Sequence, residues 1–431
     1  TRDWSSDVCS SDLGNTMNKI LRAKRMEHVH SDIRGPLFVE AMNMQAKGID
    51  VLKLNTGNPA TFGFKQPKSI EDALEHHTAD GVGYCDFRGM PQSREAISSY
   101  HRSKGIKGVT ADDVFIGNGV SEVVSFALMP LLNDGDEVLV PTPSYSIWGN
   151  SVYLAGGKPV FYVCDEKANW YPDIDDIRSK ITSRTKAIVV INPNNPTGML
   201  YPREILEQIV EVAREAGIMV FADEIYDRLV MDGLEHTSIA SLADDVPMVT
   251  LNGLSKSHCL CGYRCGWMII SGPRALTEDY KQGIAQLTSL RLCANTLGQI
   301  VIPAALDDME TPMSMVRPGG RIYEQREATI RELEKIDGLS FVKNNSAFYI
   351  FPKMDADKFH ITDDKQFASD LLHETNILLV PGSGFDWHRP DHYRLVMLPQ
   401  AEVLSDAMKR MGEFLDGYDQ RNSFKIERKS A

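Results

Sequence analysis

The sequence lacks the features typical of membrane, secreted and nucleic-acid-binding proteins. No apolar run is long enough to cross a bilayer, and no apolar segment near the N-terminus is typical of a secretion signal. The 46 lysines and arginines are outnumbered by 59 aspartates and glutamates, which gives a net charge of -13. Nucleic acids and anionic membranes attract clustered positive charge. We therefore expect neither of them as a partner.

Cysteine is sparse, with seven residues in a chain of 431. The odd number and irregular spacing predict reduced thiols and a cytoplasmic location rather than a disulfide framework. Three of the cysteines, Cys259, Cys261 and Cys265, lie close together in the sequence. Their spacing is not that of a standard zinc site, so we expect no metal and interpret them as small buried thiols.

Internal repeats and low-complexity linkers are also missing. The first 16 residues are polar, precede Met17 and resemble translated adapter sequence, although a short native disordered tail is the alternative. We exclude them from the fold and expect three further parts. These are an N-terminal segment over 17–60 that packs with a small domain, a large domain over 61–312, and the small C-terminal domain over 313–431.

The segment between residues 112 and 272 alternates short apolar runs with amphipathic stretches. The helical spacing predicts helices over 121–132 and 203–216. Strands are predicted at 114–117, 137–140, 187–191, 218–222 and 247–251. This order is typical of βαβ units, so we predict an α/β fold with a mostly parallel sheet between helices.

The pattern changes after about residue 313, where the apolar runs are shorter. Helices are predicted over 323–336 and 403–418. Strands are predicted at 340–343, 348–351, 377–380 and 393–397. These elements indicate a smaller α+β domain.

Polar side chains follow three of the predicted strands of the large domain. Asn195, Asp223 and Lys256 each come just after an apolar run. Ligands of open α/β sheets bind at the carboxyl ends of the strands, so we expect these three residues to share one site. Each also has a simpler interpretation, as a turn residue, a helix N-cap and a loop lysine.

Two arginines are candidates for anion binding. Arg264 lies between Gly262 and Gly266, where its planar fork could bind a phosphate. Arg394 is the lone charge of an apolar strand, so either a carboxylate partner or an outward position on an edge strand is expected. The glycine-rich segment 117–121 precedes a predicted helix, and a helix N-terminus is a further anion site.

The order of several motifs resembles the class I/II aminotransferases of PLP (pyridoxal 5'-phosphate) fold type I. The motifs are Gly-Asn-Pro at 57–59, Asn-Pro-Thr-Gly at 195–198, Asp-Glu-Ile-Tyr at 223–226, Leu-Ser-Lys at 254–256 and Gly-Tyr-Arg at 262–264. The segment Asp-Ile-Arg-Gly-Pro at 32–36 is most similar to the bacterial alanine aminotransferases, which pair glutamate with pyruvate.

The resemblance implies the cofactor PLP and a role for each matching residue. Lys256 would form a Schiff base with PLP and then carry the proton of the 1,3-proton shift. Asp223 would pair with the ring nitrogen and keep the ring an electron sink. Further cofactor contacts are implied for Val120, Ser121, Tyr145, Asn195, Tyr226, Ser255 and Arg264.

The substrates implied by the resemblance are small amino acids and 2-oxo acids, with alanine and 2-oxoglutarate as the expected pair. Arg394 would bind the α-carboxylate, with Asn195 and the Gly57 backbone beside it. Arg34 is the candidate for the distal carboxylate of glutamate. Tyr84 resembles the tyrosine that reaches the cofactor phosphate of a partner subunit, which implies a homodimer with shared active sites.

The sequence also departs from the family pattern and leaves other functions open. Many relatives carry a second serine where this chain has Gly253, so one phosphate contact is expected to be missing. A PLP-dependent β-eliminating lyase would use the same Lys256 and Asp223. A non-catalytic PLP-fold binding module is a further alternative.

Overall fold

The computed structural model describes residues 18–423, and the tail predicted over 1–16 lies outside the described residues. Amphipathic sequences with apolar residues three and four positions apart form most of its helices. The α-helices are α1 (Pro36–Ala46), α2 (Lys68–His77), α3 (Pro91–Ser103), α4 (Val120–Leu128), α5 (Ile147–Leu154), α6 (Ile174–Ser179), α7 (Arg203–Ala216), α8 (Arg274–Leu290), α9 (Thr296–Ile300), α10 (Ile302–Asp307), α11 (Glu310–Val316), α12 (Arg321–Leu333), α13 (Asp364–Thr375) and α14 (Ala401–Leu415).

The strands follow the apolar runs of the sequence. They are β1 (Leu52–Lys53), β2 (Val114–Asn118), β3 (Glu137–Thr142), β4 (Lys158–Asp165), β5 (Tyr171–Pro172), β6 (Thr185–Ile191), β7 (Met219–Asp223), β8 (Met248–Gly253), β9 (Cys265–Ser271), β10 (Leu339–Ser340), β11 (Tyr349–Ile350), β12 (Lys353–Met354), β13 (Ile377–Leu378), β14 (Val380–Pro381) and β15 (Tyr393–Val396). Within residues 18–423, no helix combines the length and apolar character needed to span a bilayer.

The largest sheet has eight strands in the order β2-β9-β8-β7-β6-β3-β4-β5. Strands β8, β7, β6, β3 and β4 are parallel, whereas β9 runs antiparallel between β2 and β8. Along β6, Ile188 and Val190 pack into one apolar cluster, and Ala187, Val189 and Ile191 into another. Both faces of the sheet are therefore buried, and the predicted α/β fold with a mostly parallel sheet between helices is confirmed.

Several predicted boundaries are wrong by a few residues. The helix predicted over 121–132 ends at Leu128, and the strand predicted at 340–343 is observed at Leu339–Ser340. The helix over Arg203–Ala216 has the predicted bounds, because Pro202 stands at its N-cap and Gly217 adopts the left-handed conformation after its last residue. Strands β4, β5 and β9 of the large sheet were not predicted.

The shorter strands lie near the two ends of the chain. Strands β11, β15 and β14 form an antiparallel three-stranded sheet, and β10 pairs with β12. Strand β1 pairs in parallel with β13, so the N-terminal segment adds a strand to C-terminal elements. Leu54 belongs to the same apolar cluster as Leu395 of β15. The division into domains at residues 60 and 312 stays a prediction.

Candidate active site

A cavity of about 140 Å³ lies at the carboxyl ends of β6, β7 and β8. Its position follows from the parallel arrangement, which brings the ends of successive strands to one edge of the sheet. Nine of the predicted residues line this cavity, together with Ile147, Ile191, Ile225 and Cys261. The nine are Val120, Ser121, Tyr145, Asn195, Asp223, Tyr226, Ser255, Lys256 and Arg264.

A larger cavity of about 1020 Å³ lies elsewhere and is lined in part by Lys104, His236 and Met313. None of the residues predicted to bind cofactor or substrate lines it. The smaller cavity, where the strand-end residues converge, is therefore the candidate active site.

Lys256 lies three residues beyond the end of β8. Its Nζ donates a hydrogen bond to the Gly57 carbonyl at 2.7 Å and lies 3.8 Å from the Cys261 Sγ. Burial lowers the pKa of Lys256, but the electrostatic effects of Tyr349, Cys261 and Tyr145 together raise it more, and the net pKa is raised. The residue is thus an amine inside the cavity and not a loop lysine on the surface.

Asp223 is the last residue of β7 and is 5% exposed. Its Oδ2 accepts a hydrogen bond of 3.0 Å from the Trp148 indole, and its Oδ1 accepts one of 3.4 Å from the Ile225 amide. Burial raises the pKa of the Asp223 carboxyl, and the hydrogen bond from Trp148 opposes that shift. No lysine, arginine or histidine between residues 18 and 423 forms a salt bridge with it. A buried carboxylate of this kind fits a cationic ring nitrogen.

Ser121 and Arg264 form a cradle suited to a phosphate at the N-terminus of α4. Arg264 Nη2 donates a hydrogen bond of 3.0 Å to Ser121 Oγ. A Cβ on Gly119 would lie 2.3 Å from the Arg264 guanidinium, and one on Gly266 would lie 2.5 Å from the Val120 nitrogen. Both glycines therefore allow a close approach that a side chain would prevent, of Arg264 to Gly119 and of β9 to the start of α4, where free amide groups can bind an anion.

The departure at Gly253 has a steric cause. A Cβ at this position would lie 2.6 Å from the Cys265 carbonyl oxygen on the neighbouring strand β9. Real Cβ atoms do not approach backbone this closely, so a serine at position 253 would require β8 and β9 to separate. The close approach of β9 therefore leaves no room for a side chain at position 253 in this structure.

Arg394 lies on β15, the central strand of its three-stranded sheet, and is 1% exposed. The alternative of an outward arginine on an edge strand is therefore wrong. Its Nη1 donates to the Asn195 Oδ1 at 2.8 Å, its Nη2 donates to the Asn55 carbonyl, and its Nε is buried without a partner. Burial lowers the pKa of Arg394. No carboxylate in the described part of the chain pairs with it, so the site can accept a carboxylate ligand.

Four predicted residues do not line the cavity. Gly57 and Arg394 are bonded to residues that line it, because Gly57 accepts from Lys256 and Arg394 donates to Asn195. Tyr84 is 82% exposed. Arg34 is also exposed, but its neighbour Ile33 accepts a hydrogen bond of 2.7 Å from the Asn55 side chain. Because Arg394 donates to the Asn55 carbonyl, the segment that carries Arg34 is connected to the Arg394 site.

Cys259, Cys261 and Cys265 lie in three different environments. Cys259 Sγ lies 3.9 Å from the Met315 sulfur, and Cys265 is buried in β9. Cys261 alone of the three lines the cavity, where its Sγ lies 3.1 Å from the Ser255 carbonyl oxygen. The interpretation as three buried thiols is thus incomplete, since Cys261 is only partly buried and faces Lys256.

Sequence reasoning missed two further residues of the site, Trp148 and Tyr349. Trp148 lies in α5 and its indole donates to Asp223, but nothing in the local sequence indicates that bond. Tyr349 lies in a strand that was predicted, but its hydroxyl bonds to Tyr226, and nothing in the local sequence indicates this long-range contact.

Comparison with known proteins matches residues 49–410 to the family model "Aminotransferase class I and II". A glutamate-pyruvate aminotransferase of Haemophilus influenzae is 48% identical and covers 93% of this chain and 99% of its own. An alanine aminotransferase of Mycobacterium tuberculosis is 44% identical and covers 93% of both chains.

The structure is also similar to that of a solved aminotransferase. The crystal structure of an aminotransferase from Escherichia coli superposes with a TM-score of 0.92 at 45% identity, covering 93% of this chain and 99% of that one. Such a match over nearly the whole length extends to the elements that carry the cavity, so the chain belongs to the class I and II aminotransferases, which are PLP-dependent enzymes.

Proposed function

We propose that this aminotransferase moves an amino group between alanine and 2-oxoglutarate, with glutamate and pyruvate as the other pair. The observation that supports a carboxylate substrate is Arg394, a buried cation for which residues 18–423 supply no anion. The relatives named for glutamate and pyruvate or for alanine, at 44–48% identity, support the choice of substrates.

The residues present fit PLP, since the cavity combines an amine, a buried carboxylate and an anion cradle. Lys256 would hold the cofactor covalently, Asp223 would face its ring nitrogen, and Ser121 with Arg264 would hold its phosphate. When bound, PLP withdraws electrons from the substrate Cα and stores the amino group between the two half-reactions. Tyr145, 38% exposed, would cover the ring. Val120, Asn195, Tyr226 and Ser255 would complete the contacts.

Lys256 would move the proton between the two carbon atoms involved in the transfer. Its Nζ lies beside the Gly57 carbonyl, which accepts a hydrogen bond and so fixes the position of the amine. A general base must lie within hydrogen-bond reach of the proton that it removes. Arg394 and Asn195 would hold the α-carboxylate and thereby fix the orientation of the substrate Cα toward that amine.

Arg34 would bind the distal carboxylate of glutamate and 2-oxoglutarate. Substitution Arg34→Ala should raise the KM for these two substrates by about 10- to 100-fold and leave the KM for alanine and pyruvate nearly unchanged, as expected when one charged contact is lost. The exposed Arg22→Ala is the control. Equal effects on dicarboxylic and monocarboxylic substrates would show that Arg34 has another role.

A homodimer with shared active sites is part of this proposal. Val82, Tyr84 and Leu297 are exposed, at 87%, 82% and 43%. Thr296, next to Leu297, bonds to the Gly81 carbonyl, so these apolar side chains belong to one surface. A partner subunit on this surface would bury them and bring Tyr84 to the neighbouring cofactor. Sedimentation equilibrium of the wild type and of Tyr84→Ala tests whether the chain forms a dimer. The PLP dissociation constants of the two proteins test whether Tyr84 reaches the cofactor of the partner subunit.

The cytoplasm is the proposed location, because the six described cysteines are free thiols. Subcellular fractionation followed by detection of the enzyme tests this assignment. Recovery in an oxidising compartment would contradict it.

The absorbance of the purified protein tests the whole proposal. A band from bound PLP should be present, should change on addition of alanine or glutamate, and should change back on addition of a 2-oxo acid. Lys256→Ala should lose the covalent band. Release of ammonia without a 2-oxo acid acceptor would indicate a lyase instead.

A further inference from the structure

Tyr349, the first residue of β11, is buried at 1% exposure beside the candidate site. Its hydroxyl lies 2.8 Å from the hydroxyl of Tyr226, and the two rings meet edge to face with centroids 5.6 Å apart. Burial raises the pKa of Tyr226 well above its usual range, so this phenol keeps its proton and remains a donor. Tyr349 therefore acts directly on a residue that lines the cavity.

The other face of Tyr349 contacts the carboxylate-binding side of the site. The Arg394 guanidinium carbon lies 4.4 Å from the centre of the Tyr349 ring, a cation–π distance. A Cβ on Gly57 would lie 2.1 Å from the Tyr349 hydroxyl, so Gly57 and this oxygen are in close contact. The Gly57 carbonyl is in turn the hydrogen-bond acceptor for Lys256. One side chain thus touches Tyr226, Arg394 and the partner of Lys256.

We propose that Tyr349 is a positioning residue with two separable functions. Its hydroxyl would tune the proton affinity at the Lys256–cofactor linkage by acting through Tyr226, and its ring would hold Arg394 in the orientation that receives the substrate carboxylate. This inference rests on the proposed function, because it takes Tyr226 as the donor to the ring oxygen of PLP.

The direction of the first effect follows from the order of the hydrogen bonds. If Tyr226 donates to the cofactor ring oxygen, its own oxygen is free to accept from Tyr349. Hydrogen bonds in a chain polarise one another, so the Tyr349 hydroxyl makes Tyr226 a stronger donor. A stronger donor withdraws negative charge from the ring oxygen, and the neighbouring nitrogen then binds its proton less tightly. Loss of the Tyr349 hydroxyl should therefore raise the pH at which that nitrogen deprotonates.

Tyr349→Phe tests the hydroxyl because it keeps the ring. In the PLP-loaded enzyme, the pH midpoint of the cofactor absorbance change should rise by about half a pH unit or more. The KM for alanine should change by less than about twofold, because the ring still faces Arg394.

Tyr349→Leu tests the ring. It should shift the midpoint in the same direction and also raise the KM for alanine and pyruvate by about tenfold, because Arg394 loses one of its two aromatic neighbours and keeps only Phe385. Tyr393→Phe is the matched control, since Tyr393 is buried and bonds to the Met411 sulfur away from the cavity. This control should change neither the midpoint nor the KM.

The outcomes separate this inference from the proposed function. A wild-type enzyme without a PLP band that responds to alanine would overturn both. If the wild type responds and Tyr226→Phe raises the midpoint, but Tyr349→Phe leaves it unchanged, only the role of the Tyr349 hydroxyl is overturned. If Tyr349→Leu leaves the KM unchanged, the role of the ring is overturned.

Discussion

The proposed active site has a cofactor region and a substrate region, which are built in different ways. The cofactor region consists of Ser121, Asp223, Lys256 and Arg264. These residues lie at or near the ends of strands of one sheet and at the start of the helix α4. The substrate region consists of Asn55, Gly57, Tyr349 and Arg394. Its residues come from both ends of the chain, and the hydrogen bond from Arg394 to Asn55 joins residues 339 positions apart.

The two regions also differ in what they require from a ligand. Asp223 is a buried anion held by neutral donors, and Arg394 is a buried cation held by neutral acceptors. Each gains stability when a ligand of opposite charge arrives. PLP stays in place during turnover, whereas substrates leave after each half-reaction. Changes in the cofactor region should therefore reduce kcat, and changes to Arg394 in the substrate region should raise KM.

Lys256→Ala should have the largest effect, because Lys256 serves the cofactor region and also bonds to Gly57 of the substrate region. Loss of the covalent link and of the general base should reduce turnover by about 10⁴-fold or more. Steady-state kinetics and absorbance of the PLP-loaded protein measure this. The exposed Lys158→Ala, at the start of β4, is the control. Turnover within tenfold of wild type would assign the chemistry to another residue.

Asp223→Asn tests the cofactor region alone. The amide cannot balance a cationic ring nitrogen, and loss of one member of a buried ion pair costs about 3–5 kcal/mol. We expect kcat to fall by about 10²- to 10³-fold while the KM for alanine stays within about threefold. Asp165→Asn is the matched control, because Asp165 ends strand β4, which lies next to the edge strand β5. A rise in KM with normal kcat would contradict the division into two regions.

The cofactor region was predictable from the sequence for a physical reason. Parallel strands place their carboxyl ends at one edge, so Asp223 and Lys256 of this region, and Asn195 next to it, could be brought together from their positions after apolar runs. Strand β9 was missed although its run from Trp267 to Ile270 is apolar.

The substrate region was less predictable, because its contacts depend on how the chain ends meet. The pairing of Leu52 with Ile377 places Asn55 near Arg394, and neither local sequence contains that register. Arg394 itself could be recognised as a lone charge in an apolar strand. Tyr349 and Trp148 carry no such signal, since buried aromatic residues are usual in any core.

Arg394→Lys tests the substrate region. A lysine keeps the charge but cannot form the planar fork that binds a carboxylate through two hydrogen bonds. The KM for alanine, glutamate and both 2-oxo acids should rise by about 10- to 100-fold, with kcat reduced less. Arg326→Lys is the control, because Arg326 is equally buried but pairs with Asp232 outside the cavity. The control should lower thermal stability without changing KM.

The smallest effect is expected at His30, which connects the N-terminal segment to the rest of the protein. Its ring nitrogens each lie 2.9 Å from a carboxylate, of Asp32 and of Asp386, and these hydrogen bonds raise the pKa of His30 from 6.5 to about 9. Asp32 also lies 3.4 Å from Lys365. A raised histidine pKa stabilises the fold fully below the unfolded value and loses that contribution as the pH rises from about 6.5 through about 9.

The thermal midpoint of the wild type should therefore approach that of His30→Gln over this pH range. Below this pH range the two thermal midpoints should differ by only about 1 to 3 °C, because the His30 side chain is partly exposed and water screens its ion pairs. The exposed His76→Gln is the control. Since Arg34 follows on the same segment, the KM for glutamate should rise with pH in the wild type by about twofold, whereas kcat should not follow it. A parallel change in kcat would mean that the two regions respond together to the N-terminal segment and are not separable.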